Sequence, residues 1–599
     1  MTVTNTNVEN EVGETIPPLT AHAVSVSLPT WSANVGYEEG QEWVVSKMKT
    51  GYPRQVFFIH KSIARLADTL SAAYGLPHET AMLFPTHACA SRCVDFFRQQ
   101  APELGPNHVR IVDFVPDPNH RHPEERVLPR VSAVLFPKDR FKIAKTFWQH
   151  SGDGISSRRA EYFHQAYNEG LLVEKSQTVQ RQCKGPRRYQ KKPSVDKTGH
   201  LPPTNGQLSS SSEETLDGQD PVRFVEERFG RNLDVAFAYN AKLAIRRRIA
   251  GSLTANVGLT EALELEKDSE RTRPVAGFSE DDVYLYPCGM SAIFNTHRSM
   301  MAARGPMKSI SYGFPYIDTL KILEKFGPGA LFYGFGSSEE LDDLEKRLQG
   351  GERYLALFCE FPSNPLLNTP DLERIRALAD KYDFGVVVDE TIGNFLNVDV
   401  LPYADIVVSS LTKVFSGDSN VMGGSAILNP KGQYYELLKK TWATEYEDNQ
   451  WPEDSIFLER NSRDFVQRIE RINANAEAIC DLLRVHPKIK QVNYPKYSPT
   501  KQFYDHCKRP TGGYGGLLSA TFYSNADAVA FYDNLDTAKG PSLGTNFTLS
   551  SPYVILAHFT ELEWAASYGV EADLVRFSVG LEDAEELETV FKRALAAMQ

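Results

Sequence analysis

Lys413 is the residue whose chemistry is easiest to place. It follows the apolar run of ADIVVSSLTKVFSG, so it stands just past the C-terminal end of an expected strand, with Ser410 and Thr412 beside it. An amine in that position can form a Schiff base with an aldehyde. The tetrapeptide alone reads more simply as a surface lysine at a strand end. Asp389 closes the preceding apolar run, GVVVDE. If the two strands are parallel neighbours, their carboxyl ends meet at the crevice where open α/β sheets bind ligands. A carboxylate there could keep a pyridine nitrogen protonated, the condition under which pyridoxal phosphate draws electrons; it could equally cap the next turn. In VYLYPCGMSAIF a strand turns through Gly289 into a helix, which offers free backbone N–H groups to a phosphate. Tyr316, in YGFPYIDT, could stack on a planar ring or fill a core. Each feature is weak alone; their order along the chain is what makes one cofactor site of them. Neither GxGxxG after a strand nor GxxxxGK[ST] is found, which leaves dinucleotide and P-loop readings without a motif.

The elements that must hold these residues have the right periods. RYLALFCEF reads as a strand, TPDLERIRALADKYD as a helix with a Thr369 cap and Pro370 at its first position, and FGVVVDE as a strand. Strands apolar on consecutive positions are expected when helices cover both faces of a parallel sheet. An amphipathic helix is predicted from Ser462 to about Arg484, with Phe465, Ile469, Ile472, Ala476, Ile479 and Leu483 on one side. The predicted organisation is a disordered N-terminus (1–14), an α/β extension (15–173), a disordered linker (174–220), a large α/β domain with its inter-domain helix (221–485) and a small α+β domain (486–599). In the extension HAVSVSLP, VRIVDFV and VSAVLFP read as strands and SIARLADTLSAAYG as helical. The linker is almost free of aliphatic residues: a basic half is followed by a Ser-, Gly- and Pro-rich half. Its run from Lys184 to Lys192 reads as solvated linker or as a nuclear-import patch.

The 599 residues are 41% hydrophobic and 24% charged, enough to bury sizeable cores. A net charge of −12 argues against nucleic-acid binding over the whole surface. No run of 18 apolar residues suggests a membrane span, and the polar N-terminus has no signal-peptide core, so a cytoplasmic protein is expected. Seven scattered cysteines point to reduced thiols and not to a disulfide framework, and without CxxC or HExxH no metal is expected.

The segments CGMSAIF, FPYIDT, CEFPSNPLL, VVVDET, SSLTKVFSG, GGLLSATF, PSLGTNFTL and VRFSVGLED resemble the Cys/Met-metabolism PLP enzymes of aminotransferase fold type I. The chain length and the segment GETIPPLTAHAVSVSLPTWSANVGYEEG more narrowly resemble the fungal cystathionine γ-synthases. The resemblance implies pyridoxal 5′-phosphate as cofactor, with Lys413 and Tyr316 as catalytic groups. Lys413 would carry the cofactor and shuttle protons, and Tyr316 would stack on its ring. Asp389 would face the ring nitrogen, Asn364 would lie near the cofactor's phenolic oxygen, and Gly289, Met290, Ser410 and Thr412 would cradle the phosphate. Arg576 would hold the substrate α-carboxylate, with Ser542 beside it. Two departures stand out. Where the family carries Tyr-x-Arg to reach a neighbouring subunit's phosphate, this chain has Glu226 and Arg228 in ERFGRN, and an intact Tyr52-Pro53-Arg54 in the other half. Where several members have Glu before SLG, it has Pro541, which weakens a lyase reading.

The implied reaction is γ-replacement: cysteine displaces the acyl group of O-acetylhomoserine or O-succinylhomoserine to give cystathionine. A sulfhydrylase, a lyase, a carbon nucleophile in specialised metabolism, and a catalytically silent regulatory protein of the same fold are the alternatives. Small amino acids are the expected partners, and the family's shared sites imply a homodimer or homotetramer.

Overall fold

The computed structural model describes residues 11–48, 59–105, 107–118, 130–176, 235–264, 273 and 275–598. Tyr52, Arg54, Glu226, Arg228, nearly all of the 174–220 segment and most of the first fourteen residues lie outside these.

Seven strands form the central sheet, in the order Val283–Tyr286, Gly424–Leu428, Ile406–Ser410, Gly385–Asp389, Ala356–Glu360, Ser309–Tyr312, Ala330–Tyr333. Gly424–Leu428 is antiparallel to both neighbours, and the remaining pairs are parallel. This is the mostly parallel sheet expected. Its registers set polar strand ends side by side, because Glu360 pairs with Asp389 and Asp389 with Val408. The strand interiors are apolar on successive positions, with Val386, Val387 and Val388 all buried, as two helical layers require. The predicted helix after the strand ending at Glu360 spans Leu372–Tyr382, but its cap is Asp371, whose side chain accepts from Arg374 N at 3.0 Å. Thr369 instead donates its backbone N–H to Thr500 Oγ1. Asp outcompetes the earlier Thr because it stands immediately before the first helical residue.

A second, five-stranded sheet follows in the order Ile489–Asn493, Leu517–Phe522, Leu574–Ser578, Leu549–Ser551, Ala538–Lys539. Helix Phe465–Arg484 leads into it and buries Ile469, Ile472, Ala476, Ile479 and Leu483, the stripe read from the sequence. It starts three residues later than predicted, at Phe465.

The N-terminal portion holds a four-stranded sheet in the order Glu79–Phe84, Val131–Pro137, Arg110–Pro116, Leu172–Glu174, antiparallel throughout. ETAMLF, not read as a strand from the sequence, contributes one of its edges, whereas HAVSVSLP supplies only Ser25–Val26, paired with Thr15–Ile16. Alternation divides its side chains between two cores. Ala81, Leu83, Ala133 and Leu135 face a local cluster with Ile63, Leu66 and Phe163. Met82, Phe84, Val134 and Phe136 face the opposite way, into one continuous core with Ile293, Phe294, Val387 and Val408 of the central sheet and its helices. The extension is therefore packed onto the large domain by apolar burial, not tethered beside it. Among the described residues no helix is long and apolar enough to cross a membrane.

Candidate active site

An open cavity, about 580 Å³ counted together with its mouth, lies at the carboxyl ends of the central strands. Glu360, Asp389 and Ser410 each close one strand and line it; Lys413 follows just beyond, and Gly289 and Met290 begin the helix Gly289–Arg304. Parallel neighbours in register must end side by side, so residues far apart in sequence converge here.

One end of the cavity is built for an anion. The helix at Gly289 has no side-chain cap at Cys288, so its first N–H groups lack an intrahelical or capping partner. A Cβ at Gly289 would meet Ser410 Cβ at 2.7 Å, and only glycine lets this turn rest on the strand end. Ser410 Oγ is buried with no hydrogen-bond partner among the described residues. Unpaired backbone donors and an orphaned hydroxyl facing one space are what phosphate oxygens satisfy. Thr412, expected to add a second hydroxyl, does not line this space: its Oγ1 donates to Gly423 O (3.3 Å) and accepts from Gly423 N (3.2 Å). The strand ends at Ser410, and the turn beyond it spends Thr412 on holding the neighbouring backbone.

The other end gathers charge. Lys413 is 1% exposed, and its Nζ donates to Ser542 Oγ at 2.7 Å. Ser542 sits at φ +104°, a conformation costly for any residue with a Cβ. Gly544, two residues on, has φ +70°, and a Cβ there would meet Val414 N at 2.5 Å and Lys413 Cβ at 2.9 Å, so the loop lies directly on the lysine. Arg576, on strand Leu574–Ser578, donates to Ser542 O (2.6 Å) and to Asn364 Oδ1 (3.1 Å), and lies over the Tyr553 ring at 4.4 Å. Asn364 Nδ2 donates to Tyr553 Oη (3.1 Å). The guanidinium is thus pre-aimed by an amide, a carbonyl and a ring, its fork suited to a carboxylate.

Asp389 Oδ1 accepts from Thr391 N, and Thr391 Oγ1 accepts from Ser410 N, each at 2.8 Å, which locks adjacent strand ends together. Glu360 accepts from the backbone N–H groups of Tyr316 and Asn364. Burial, and then the charge of Asp389 beside it, push its carboxyl up to about 8 against the pull of those two donors. Glu360 was not singled out in the sequence, although it ends an apolar run next to the one ended by Asp389; that shared position was the available signal. Thr391, Ile392 and Leu543 also line the cavity and carried no such signal. Tyr316 lines it from the start of helix Ile317–Lys325. Of the predicted residues, Gly289, Met290, Tyr316, Asn364, Asp389, Ser410, Lys413, Ser542 and Arg576 come together, Thr412 stands just behind, and Arg228 is outside the described residues.

The N-terminal portion reaches both ends. Ser25 Oγ donates to Pro541 O, and Leu28 N to Lys539 O at 2.9 Å, beside the Ser542 loop. Asp153, 2% exposed, accepts from Ser291 Oγ (2.9 Å) and Asn295 Nδ2 (3.0 Å) on the Gly289 helix while pairing with Arg92 at 2.8 Å.

The donor set fits pyridoxal phosphate: backbone and hydroxyl donors for the phosphate, a carboxylate for the ring nitrogen, and a buried amine for the aldehyde. Residues 278–596 match the family model described as Cys/Met metabolism PLP-dependent enzyme, and residues 62–156 match the fungal trans-sulfuration enzyme N-terminal domain. The chain is 56% identical to the cystathionine gamma-synthase of Neurospora crassa, over 98% of each chain. It is 39% identical to that of Saccharomyces cerevisiae, over 98% of this chain and 99% of the yeast protein. It is 43% identical to the cystathionine gamma-synthase-like enzyme iboG2 of Amanita muscaria, over 100% of this chain and 98% of the relative.

Proposed function

The chain belongs to the Cys/Met-metabolism PLP-dependent enzyme family, and from that premise we propose that it is a cystathionine γ-synthase, joining O-acetylhomoserine (or O-succinylhomoserine) and L-cysteine. The observation that carries this reading is the 56% identity to the Neurospora crassa synthase along nearly the whole length, N-terminal portion included. In the net reaction the S–H bond of cysteine and the Cγ–O bond of the acylhomoserine break, an S–Cγ bond forms, and the acyl group leaves as a carboxylic acid.

Pyridoxal phosphate, when bound, supplies an electron sink that lets hydrogens leave Cα and Cβ as protons and the acyloxy group depart from Cγ. The chain's own residues do the rest. Gly289, Met290 and Ser410 would hold the phosphate, Asp389 would keep positive charge at the ring nitrogen, and Tyr316 would flank the ring. Arg576 binds the substrate α-carboxylate, exchanging its bonds to Asn364 and the Ser542 carbonyl for a bidentate pair. Lys413, held at its amine by the Ser542 hydroxyl, moves protons at Cα and Cβ. Because Lys413 and Arg576 are both buried, water has little access to the amine during these transfers.

A second reading keeps the γ-replacement and changes the nucleophile, and is favoured by the full-length 43% identity to the Amanita muscaria synthase-like enzyme. Supplying O-acetylhomoserine and, in parallel, O-succinylhomoserine with cysteine, with sulfide or with no thiol, and reading products by mass spectrometry, decides between them. Cystathionine as the dominant product is expected; homocysteine, 2-oxobutyrate or no product overturns the synthase. The site is completed in a homodimer or a dimer of dimers, by analogy with the family's shared sites, and sedimentation of the purified protein checks this. The compartment is the cytoplasm, supported by the six free cysteines among the described residues.

A further inference from the structure

Behind Tyr316 a line of polar groups leads out of the active site and into the N-terminal portion. The Tyr316 hydroxyl donates to Asp318 Oδ2 at 2.6 Å. The other carboxylate oxygen, Asp318 Oδ1, lies 3.0 Å from His150 Nδ1 and accepts from Gln149 Nε2 at 3.3 Å. His150 Nε2 is 3.0 Å from Lys325 Nζ. Asp318 and His150 are 3% and 6% exposed, whereas Lys325 stands at the surface. An ammonium has only protons to offer, so Lys325 donates to Nε2, and the ring proton of His150 is left on Nδ1, facing Asp318. Nδ1 and Oδ1 are close but out of line for a hydrogen bond, so the contact is a close polar approach of two buried groups.

His150 belongs to helix Phe141–Ser151 of the extension, and its placement is not accidental to the packing. The helix ends at Gly152 with φ +62°, and a Cβ there would meet Ser291 N at 2.6 Å and Cys288 Sγ at 2.7 Å. Only glycine lets the helix stop against the turn that starts the Gly289 helix. Asp153 then bonds Ser291 and Asn295 of that same helix. The extension is pinned next to His150 by contacts that have nothing to do with Asp318, so the imidazole is delivered to the carboxylate and does not wander to it.

We propose that His150, a residue of the N-terminal extension, is a positioning residue of the active site, acting through Asp318 to fix the hydroxyl and ring of Tyr316. The imidazole holds one carboxylate oxygen so that the other faces the phenol, and Lys325 fixes the imidazole tautomer from outside. No bond to substrate is involved, and no group is consumed. The large domain's own residues do not supply the His150 contact, which gives the extension a stake in the chemistry beyond apolar packing. This inference rests on the reading of Tyr316 as the group flanking the cofactor ring.

The test is a double-mutant cycle on the full chain, read by turnover, by the equilibrium dissociation constant for pyridoxal phosphate, and by thermal midpoint. His150→Leu lowers kcat about tenfold and weakens cofactor binding several-fold, within the range of coupling between groups in one hydrogen-bond network. In a Tyr316→Phe background the same substitution has almost no further effect, because the hydroxyl it serves is gone. His150→Gln, which can donate to Asp318 and accept from Lys325, recovers most of both losses. If His150→Leu does not fold, Lys325→Met breaks the line from its outer end and enters the cycle instead, with a smaller loss that also vanishes in Tyr316→Phe. Losses that add in full to those of Tyr316→Phe overturn the proposal, as does a His150→Gln protein no better than His150→Leu. If Tyr316→Phe itself leaves turnover and cofactor binding intact, the reading of Tyr316 falls, and this inference with it.

Discussion

The central sheet and the N-terminal sheet are both α/β assemblies, yet their chemistry is disposed in opposite ways. In the central sheet Glu360, Asp389 and Ser410 end three parallel strands and stand side by side at one edge of a cavity. In the N-terminal sheet every pair is antiparallel, so strand ends alternate between its two edges and no such row can form. Its contribution comes from outside the sheet: Asp153 and His150 at a helix end reach large-domain elements that carry a site residue, and Ser25 on a short hairpin reaches the small-domain loop that carries Ser542. A parallel sheet gathers functional groups; an antiparallel sheet of similar make-up braces them.

If that division holds, substitutions at the strand ends should destroy activity and spare folding, and substitutions in the bracing region should lower activity far less and cost more in stability or cofactor binding. Lys413→Ala is the severest case: kcat falls by roughly 10³-fold or more, with the long-wavelength absorbance of the lysine-bound cofactor lost and the thermal midpoint little changed. Full turnover with that absorbance retained removes Lys413 from the site. Arg576→Gln comes next, raising KM for the acylhomoserine by about 10²-fold, since it forfeits a charged pair of hydrogen bonds of about 1.5–3 kcal/mol each. An unchanged KM sends the substrate carboxylate elsewhere. On the bracing side, Asp153→Ala removes the acceptor of Ser291 Oγ and Asn295 Nδ2, which keep only the bonds between these two residues, and half-releases the partly buried Arg92, which still has Glu447 at 3.2 Å. A stability loss of about 2–4 kcal/mol is expected, with weaker cofactor binding but kcat of the saturated enzyme reduced far less than in Lys413→Ala. Chemical denaturation showing no loss would mean that the extension does not brace this helix.

The smallest effect sharpens the comparison inside the site. Glu360, raised from 4.5 to about 8, keeps its proton in the folded chain where the unfolded chain has released it. Its contribution to stability is full below the ordinary carboxylate range and is lost as pH rises through about 8. The cofactor-free protein should therefore lose stability from about pH 5 to 8 by an amount on the order of a few kcal/mol, and Glu360→Gln should flatten that slope. Parallel slopes for the two proteins would place the Glu360 carboxyl back in its usual range.

Much of the site was legible in the residues alone, and the reason is geometric. An apolar run without alternation announces a doubly covered strand, and the polar residue that ends it stands at the crevice; Asp389, Ser410 and Lys413 were legible on that ground, as was Gly289 from the strand-to-helix turn. The same rule would have found Glu360. Thr412 was given a phosphate role by the resemblance alone; its hydroxyl meets the Gly423 backbone, because a residue past the strand end is aimed by the turn and not by the pleat. The capping pattern placed a cap at Thr369 that belongs to Asp371, since two nearby capping residues compete and only the path of the backbone chooses between them. ETAMLF was missed because its edge-strand pairing with Val131–Pro137 depends on a chain segment about fifty residues away.

Sequence by itself marked four of the seven central strands, the order in which their chemical groups arrive, and the strand-to-helix turn at Gly289, because each depends on residues within a few positions of one another. Tertiary structure alone decided that Ser542 would meet Lys413, that Arg576 would be aimed by Asn364, and that His150 would stand behind Tyr316. Those pairs are brought together by the burial of three apolar cores against one another, which is non-directional along the chain and so leaves no local mark in it.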